Sequence, residues 1–297
     1  MRYATCNTRE AERNLNGSGF AETRSTSGRA AVVTTGSIQS LWRYPVKSLQ
    51  GLAVDAVHVG SVGIEGDRRW AIVDVASGRV MSAKRTQELL QASATDQSIL
   101  LPDGTDVPLE ADADAALSAW LGRPVMLRVA EGSEDLSYQM TFDPPNDDAE
   151  FYDIPIPPGT FVDLSPVHLI TTATLDGCAR MRPDLDWDVR RFRPNLVIAV
   201  DGDPFLEDQW TGSCLRVGSV VLQVAQLTVR CAMPLRRQPG MGPTRPGLER
   251  QPELFGAIST LNQAAPNHLG VYADVVTTGV IQIDDEVVIL EPGSPDD

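Results

Sequence analysis

The stretch Val220-Val221-Leu222-Gln223-Val224-Ala225-Gln226-Leu227-Thr228-Val229, followed by Arg230-Cys231-Ala232-Met233-Pro234, decides how the second half of the chain folds. Its first ten residues are rich in β-branched side chains and predict a strand. Pro234 cannot donate to a ladder, so the strand has ended by that point. The Cys231 thiol is therefore expected at a strand end, facing whatever cavity the next loop encloses. Because side chains alternate along a strand, Arg230 and Cys231 should face opposite ways.

The Cys231 thiol is a candidate metal ligand. The chain contains four cysteines, at Cys6, Cys178, Cys214 and Cys231. No C-x-x-C pair occurs among them, which excludes a local zinc or iron–sulfur pattern built from cysteines. Buried cysteine is also common as a small hydrophobe, so this stretch alone leaves two alternatives, a ligand and a packing residue. No zinc-type spacing joins the three histidines, which we interpret as structural: His58, His168 and His268.

The composition excludes several classes of protein. With 297 residues, 42% hydrophobic and 22% charged, the chain can bury one large core or two modest ones. It has no run of roughly 20 apolar residues, so no membrane span is expected. A net charge of -15 argues against a nucleic-acid surface, because phosphate binding needs clustered positive charge. No apolar signal-peptide core is present, and the cytoplasm is the expected compartment.

Short β-rich segments, separated by Gly and Asp turns, fill both halves of the chain. They predict a mainly β fold with a few short helices, arranged as an N-terminal β-barrel domain and a second β-barrel domain. The predicted boundaries are a disordered polar tail at 1–36, the first domain at 37–130, an acidic proline-rich connection at 131–160 and the second domain at 161–292. Helices are predicted at 113–121, with Asp112 as N-cap, near 173–181, and at 248–261.

Four further short motifs, which we call islands, contain charged or polar residues that the fold does not obviously need. They are Tyr44-Pro45-Val46-Lys47-Ser48, Gly66-Asp67-Arg68-Arg69-Trp70, Phe192-Arg193-Pro194-Asn195 and Phe205-Leu206-Glu207-Asp208-Gln209-Trp210. Lys47, Arg68 and Arg193 supply positive groups beside turns or strand ends, and Ser48 and Asn195 add neutral hydrogen bonds. These groups could converge on an anion such as a phosphate. The alternative is that each is a surface charge with a local ion pair.

The order and spelling of these islands resemble the MOSC family, in the form that places a MOSC N-terminal β-barrel domain before a MOSC domain. The mitochondrial amidoxime-reducing component and bacterial relatives have this form. The resemblance runs from about Ile38 to Leu290 and rests on Y-P-V-K-S, G-D-R-R-W, F-R-P-N, F-L-E-D-Q-W and the R-C of Arg230-Cys231. Any one of these motifs is weak, but five in the family's order are specific.

The resemblance implies a molybdenum cofactor whose metal is bound by the thiolate of Cys231, in keeping with the preference of soft metals for thiolates. It also implies that Lys47, Ser48 and Arg68 hold the pterin and its phosphate, and that Arg193 and Asn195 make further cofactor contacts. Thr171-Thr172 is a looser match to a hydroxyl-bearing stretch of the family.

The expected function is that of a molybdenum-dependent oxidoreductase which reduces N-hydroxylated or N-oxygenated small molecules. No G-x-G-x-x-G motif or cysteine cluster is present, so electrons should come from a separate flavoprotein or ferredoxin-type donor. One alternative is a carrier of molybdenum cofactor or sulfur without redox turnover. Another is a pyridoxal phosphate protein that uses Lys47 for a Schiff base.

Overall fold

A computed structural model describes residues 33–109, 112–130, 136–146, 148–157, 159–241 and 245–290, with side chains from residue 36 onward. The strands of this part are β1 Val33–Arg43, β2 Leu52–Val54, β3 Ala56–Gly60, β4 Gly63–Ile64, β5 Trp70–Asp74, β6 Ser93–Ala94, β7 Ser98–Leu100, β8 Asp106–Pro108, β9 Val125–Val129, β10 Ser137–Met140, β11 Tyr152–Pro155, β12 Val167–Thr171, β13 Leu196–Ala199, β14 Cys214–Val217, β15 Val220–Val229, β16 His268–Thr277, β17 Gly279–Gln282 and β18 Glu286–Leu290. The α-helices are α1 Ala113–Leu121, α2 Thr172–Met181, α3 Val189–Phe192 and α4 Glu253–Leu261.

A closed barrel of seven strands forms the larger half of the molecule. Around it the order is β13, β12, β16, β15, β14, β18 and β1, and β1 pairs back with β13. The strand β15 spans the predicted residues, and its Val220, Leu222 and Val224 side chains are fully buried in the barrel core. Burial at every second residue is the pattern of a strand with one face inward. The predicted mainly β fold with few helices is therefore confirmed.

The first strand of the chain belongs to this barrel. Leu41 of β1 lies opposite Leu196 of β13, and Ser37 lies opposite Glu286 of β18, both in antiparallel register. The strand begins at Val33, four residues before the predicted start of the first domain, and it closes a barrel otherwise built from the second half. The predicted boundary at residue 37 therefore cuts through a strand, while the other domain limits stay predictions.

The N-terminal half contributes smaller sheets around a separate core. The strand β5 pairs with β9, and β6, β7 and β8 form a three-stranded sheet. Leu49, Leu89, Leu90, Ile99 and Leu117 are fully buried in this core. The described residues of the predicted connection form the hairpin β10–β11, so this segment is partly regular structure.

Two helix predictions show what local patterns can and cannot fix. Helix α1 has the predicted bounds and ends at Gly122, whose φ of 65° is left-handed, but the Asp112 side chain makes no capping bond. Helix α4 begins at Glu253 rather than residue 248, because the backbone of Leu248 exchanges hydrogen bonds of 2.8 and 2.9 Å with Gln238.

Within the residues described, no helix is long and apolar enough to cross a membrane.

Candidate functional site

A cavity of about 280 Å³ lies between the two halves, and we call it the central cavity. Six of the eight residues predicted for the site line it: Lys47, Ser48, Arg68, Arg193, Asn195 and Cys231. They come from four places on the chain. Lys47 and Ser48 follow β1, Arg68 precedes β5, Arg193 and Asn195 lie between α3 and β13, and Cys231 follows β15. The convergence expected from the separate islands is thus present in the structure.

Three of these residues adopt a backbone conformation that costs energy for any side chain other than glycine. The φ angles of Ser48, Arg68 and Arg193 are 68°, 44° and 55°. Left-handed conformations of non-glycine residues persist only where the surrounding structure fixes them, and they cluster at functional sites. Here the Arg68 N–H donates to Tyr44 O at 2.7 Å, and the Arg193 N–H closes the end of α3 by donating to Val189 O at 3.2 Å. The turns therefore aim both guanidinium groups at the cavity.

The arginine cluster, which comprises Arg68, Arg193, Asn195 and Tyr44, is held by a network of short contacts. Arg68 donates to Asn195 Oδ1 at 3.1 Å and to Arg193 O at 3.3 Å, and it pairs with Asp67. Arg193 donates to Leu49 O at 2.7 Å. Both guanidinium carbons lie near the Tyr44 ring, at 4.4 and 4.1 Å from its centroid. Burial lowers the pKa of Arg193 to about 10, because the negative groups nearby do not fully offset the loss of hydration of its guanidinium.

The lysine cluster, which comprises Lys47, Lys84, Asp163 and Tyr138, lies on another part of the wall. Lys47 Nζ donates to Asp163 Oδ1 at 2.5 Å and to Phe161 O at 2.7 Å, and Lys84 Nζ donates to Asp163 Oδ2 at 2.8 Å. The two ammonium groups lie 4.6 and 4.1 Å from the centroid of the Tyr138 ring. Burial lowers the pKa of Lys47 to about 8 despite the Asp163 carboxylate. Burial also opposes ionisation of Asp163, but the two lysines outweigh it and hold the pKa of Asp163 below its ordinary value.

Arg230 and Cys231 both contribute to the lining of the central cavity, as does Val229 before them, so the prediction that the two side chains face opposite ways stays a prediction. Strand β15 ends at Val229, and the alternation of side chains ends with it. Cys231 is partly exposed. The guanidinium of Arg230 is buried and donates to Leu269 O at 2.9 Å and Phe192 O at 3.1 Å. The hydrogen bonds of the Arg230 side chain therefore hold the backbone next to Cys231 in place.

His168 connects Arg230 to Arg193. Its Nε2 lies 2.6 Å from Arg230 NH2, and its Nδ1 lies 3.3 Å from Arg193 O. A guanidinium can only donate, so Nε2 accepts and Nδ1–H donates in a neutral ring. Burial, followed by the charge of Arg230, keeps the pKa of His168 well below its ordinary value.

Thr171 and Thr172 are not among the residues that line the central cavity. The Thr171 side chain caps α2 and donates to the buried Glu207 carboxylate at 2.8 Å. The Thr172 hydroxyl exchanges hydrogen bonds with the backbone of Val200. Burial raises the pKa of Glu207. These contacts account for both threonines as parts of the helix start, and the structure gives no support to the cofactor contacts predicted for them.

Several residues of the central cavity carry no motif that could have revealed them. Asp163, Tyr138, His168 and Tyr272 reach it from separate segments. Lys84 had one sequence signal, because it and Lys47 are the only lysines among the 25 basic residues of the chain. Both lysines lie in the same cavity, so their rarity was informative.

Comparison with known proteins now tests the expected family. The sequence matches the MOSC N-terminal beta barrel domain over residues 35–123 and the MOSC domain over residues 158–288, which together make up most of the chain. The chain belongs to the MOSC family. The family resemblance proposed from the five islands is therefore confirmed.

Named relatives of this MOSC protein are distant. It is 22% identical to mitochondrial amidoxime reducing component 2 of Bos taurus, over 90% of this chain and 84% of that protein. It is 28% identical to molybdenum cofactor sulfurase of Drosophila grimshawi, over 77% of this chain but only 31% of that protein. Among solved structures it is similar to the YUAD protein from Bacillus subtilis, with a TM-score of 0.40, 10% identity and coverage of 86% of this chain and 95% of that one.

The side chains of the central cavity fit an anionic cofactor that also carries a soft metal. Of the residues placed by the structure, six lysine and arginine side chains line it against one carboxylate, an excess of five positive charges in a chain of net charge -15. Among the residues that the structure describes, no three His, Cys, Asp or Glu side chains converge as a metal cluster, so Cys231 would be a lone protein ligand. A lone thiolate suits a metal whose other ligands come from the cofactor itself.

Proposed function

We propose that this MOSC protein is a molybdenum-cofactor oxidoreductase that reduces N-hydroxylated or N-oxygenated small molecules. The observation that supports it most is the partly exposed Cys231 thiol, in a cavity whose charged side chains are nearly all cations. A thiolate binds a soft metal, and the surrounding cations suit a phosphate-bearing pterin. When bound, the cofactor would supply the two-electron redox chemistry.

The chain's own residues would bind and orient that cofactor. Cys231 would hold the metal. Lys47, Ser48 and Arg68 would hold the pterin and its phosphate, while Arg193 and Asn195 would make further contacts with the cofactor. All but Arg68 and Cys231 are at most 7% exposed, so the cavity excludes most water from the groups that make these contacts. In such surroundings electrostatic contacts are stronger than in water.

The test is the molybdenum and pterin content of protein purified from a host that makes the cofactor. Cys231→Ser should lower molybdenum content at least tenfold, because the hydroxyl is a poor ligand for a soft metal. Cys178→Ala is the matched control, since Cys178 is fully buried among apolar side chains and does not line the central cavity. Wild-type molybdenum content in Cys231→Ser would contradict the proposal.

A second function is favoured by the similarity to molybdenum cofactor sulfurase, which points to a carrier of cofactor or sulfur. Catalytic turnover distinguishes an oxidoreductase from a carrier. An oxidoreductase loaded with cofactor should reduce a hydroxylamine or amidoxime when given a small artificial electron donor, and should use a nicotinamide cofactor only after a flavoprotein or ferredoxin-type partner is added. A loaded protein that binds molybdenum through Cys231 but never reduces such a compound would be a carrier.

The pyridoxal phosphate alternative gains no support, because Lys47 Nζ already donates hydrogen bonds to Asp163 and to Phe161 O.

A further inference from the structure

The ion pairs of the lysine cluster differ from the Arg68–Asp67 pair in the exposure of their acid, because the Asp67 side chain is only 2% exposed. Asp163 lies between β11 and β12, outside any helix or strand. The loop is anchored by the buried Phe161, whose N–H donates to Arg68 O at 2.9 Å. The Asp163 side chain is 29% exposed, whereas those of Lys47 and Lys84 are 6% and 4% exposed. The carboxylate is therefore the member of the cluster that meets solvent.

The charges of the lysine cluster do not balance. Two ammonium groups share one carboxylate, which leaves a single positive charge, and among the described residues Asp163 is the only acid that lines the central cavity. Each lysine contacts a different oxygen of the carboxylate. A phosphate monoester also offers separate oxygens to the two ammonium groups, and as a dianion it would neutralise both.

Lys47 is already assigned to a phosphate under the proposed function. We propose that Lys84 completes a clamp with it for a phosphate monoester dianion, and that the Asp163 carboxylate is a counterion which the phosphate displaces. If both anions remained, their repulsion would oppose binding. The loop position of Asp163 allows its side chain to turn towards solvent without disturbing the barrel. The Tyr138 ring, which is 1% exposed, keeps its contacts with both ammonium groups and holds them in place during the exchange.

The inference rests on the proposed function only for the source of the phosphate, which is either that of the pterin cofactor or that of a phosphorylated substrate. The clamp itself follows from the contacts of Lys47, Lys84 and Asp163. Its test can therefore be made without molybdenum and without measuring turnover.

The chain provides a direct test, because Lys47 and Lys84 are its only lysines. Isotope-labelled lysine in the full chain, produced without the cofactor, yields one side-chain NMR signal from each. Titration with inorganic phosphate should move both signals together and to saturation, with one dissociation constant. Chloride at the same ionic strength should move neither. If either lysine signal fails to respond to phosphate, the clamp is refuted.

A variant tests the displacement. Asp163→Asn removes the competing charge, so phosphate should bind about tenfold more tightly or better, as expected when a like charge is removed from a binding site. Asp153→Asn is the matched control, because it removes the same charge from an exposed pair with Arg79. Equal affinity in Asp163→Asn and the control would overturn the displacement. Should Asp163→Asn fail to fold, titration of Asp163→Glu decides instead: the retained charge should leave its affinity within about twofold of wild type, and a tenfold gain would contradict charge competition.

Two further phosphate titrations distinguish a failure of this inference from a failure of the proposed function. In protein loaded with cofactor, lysine signals that no longer respond to phosphate assign the clamp to the cofactor, and a persisting response assigns it to a substrate. In Cys231→Ser without cofactor, the phosphate response should match wild type whether or not Cys231 binds molybdenum. Loss of the response in Cys231→Ser, with the fold intact, would contradict a clamp made by the two lysines.

Discussion

The arginine cluster and the lysine cluster share the central cavity, but they are held in opposite ways. Arg68 and Arg193 sit in strained turns and donate to backbone carbonyls and to Asn195. Lys47 and Lys84 depend mainly on Asp163, a side chain on a loop. Both clusters place two cations against one tyrosine ring. The difference indicates that the arginine cluster is a fixed frame and that the lysine cluster is a site where the counterion can be exchanged.

The largest expected effect comes from breaking the fixed frame. Arg68→Met leaves the Asp67 carboxylate, whose side chain is 2% exposed, without its cation. Breaking a buried ion pair by removing one partner costs about 3–5 kcal/mol, and we expect that loss in the free energy of unfolding measured with denaturant. The neighbouring Arg69→Met is the control, because Arg69 is exposed and its loss should change stability by about 0.5 kcal/mol or less. Similar losses in the two variants would show that Arg68 is not part of a fixed frame.

A smaller effect is expected from Asp163→Asn, and it should depend on pH. The pKa of Asp163 is lower in the folded protein than in the unfolded chain, so its carboxylate stabilises the fold at pH values above the unfolded value of about 4. That contribution is lost as pH falls through the folded pKa. Asp163→Asn should therefore lower the free energy of unfolding by about 1–3 kcal/mol at neutral pH, and the gap from wild type should shrink in strong acid. A gap that widened below about pH 4 would contradict the assigned ion pairs.

The smallest effect is expected from a residue outside both clusters. Thr172→Val removes the hydrogen bonds between the Thr172 hydroxyl and the backbone of Val200, which should cost about 1 kcal/mol of stability. Molybdenum content should equal that of wild type, because Thr172 does not line the central cavity. A molybdenum loss comparable with that of Cys231→Ser would restore the cofactor contact first predicted for it.

The sequence predicted Arg68, Arg193 and Asn195 of the arginine cluster because each lies in a short motif beside a turn. It could not predict the partners of the lysine cluster. Asp163 and Tyr138 are separated from Lys47 by 116 and 91 positions, and neither lies in a recognisable pattern. The opposite directions predicted for Arg230 and Cys231 have no strand pairing to enforce them, since β15 ends at Val229.

The long-range closure of the barrel was equally invisible in the sequence. Local patterns predicted short β-rich segments in the N-terminal half, but not that β1 would pair with β13 and β18, more than 150 positions away. Motif and periodicity constrain neighbours along the chain. Pairings between its ends depend on how the whole core packs.

The closure by β1 has a consequence for how the protein folds. During synthesis β1 emerges before the other described strands, yet its partner β18 ends at Leu290, so the barrel cannot close until the chain has been made as far as that residue. Contacts so distant in sequence slow folding, because the entropy of a long loop is lost before the contact forms. Until then β1 is an unpaired edge of the kind that promotes aggregation, and a chaperone that covers it would raise the yield of folded protein.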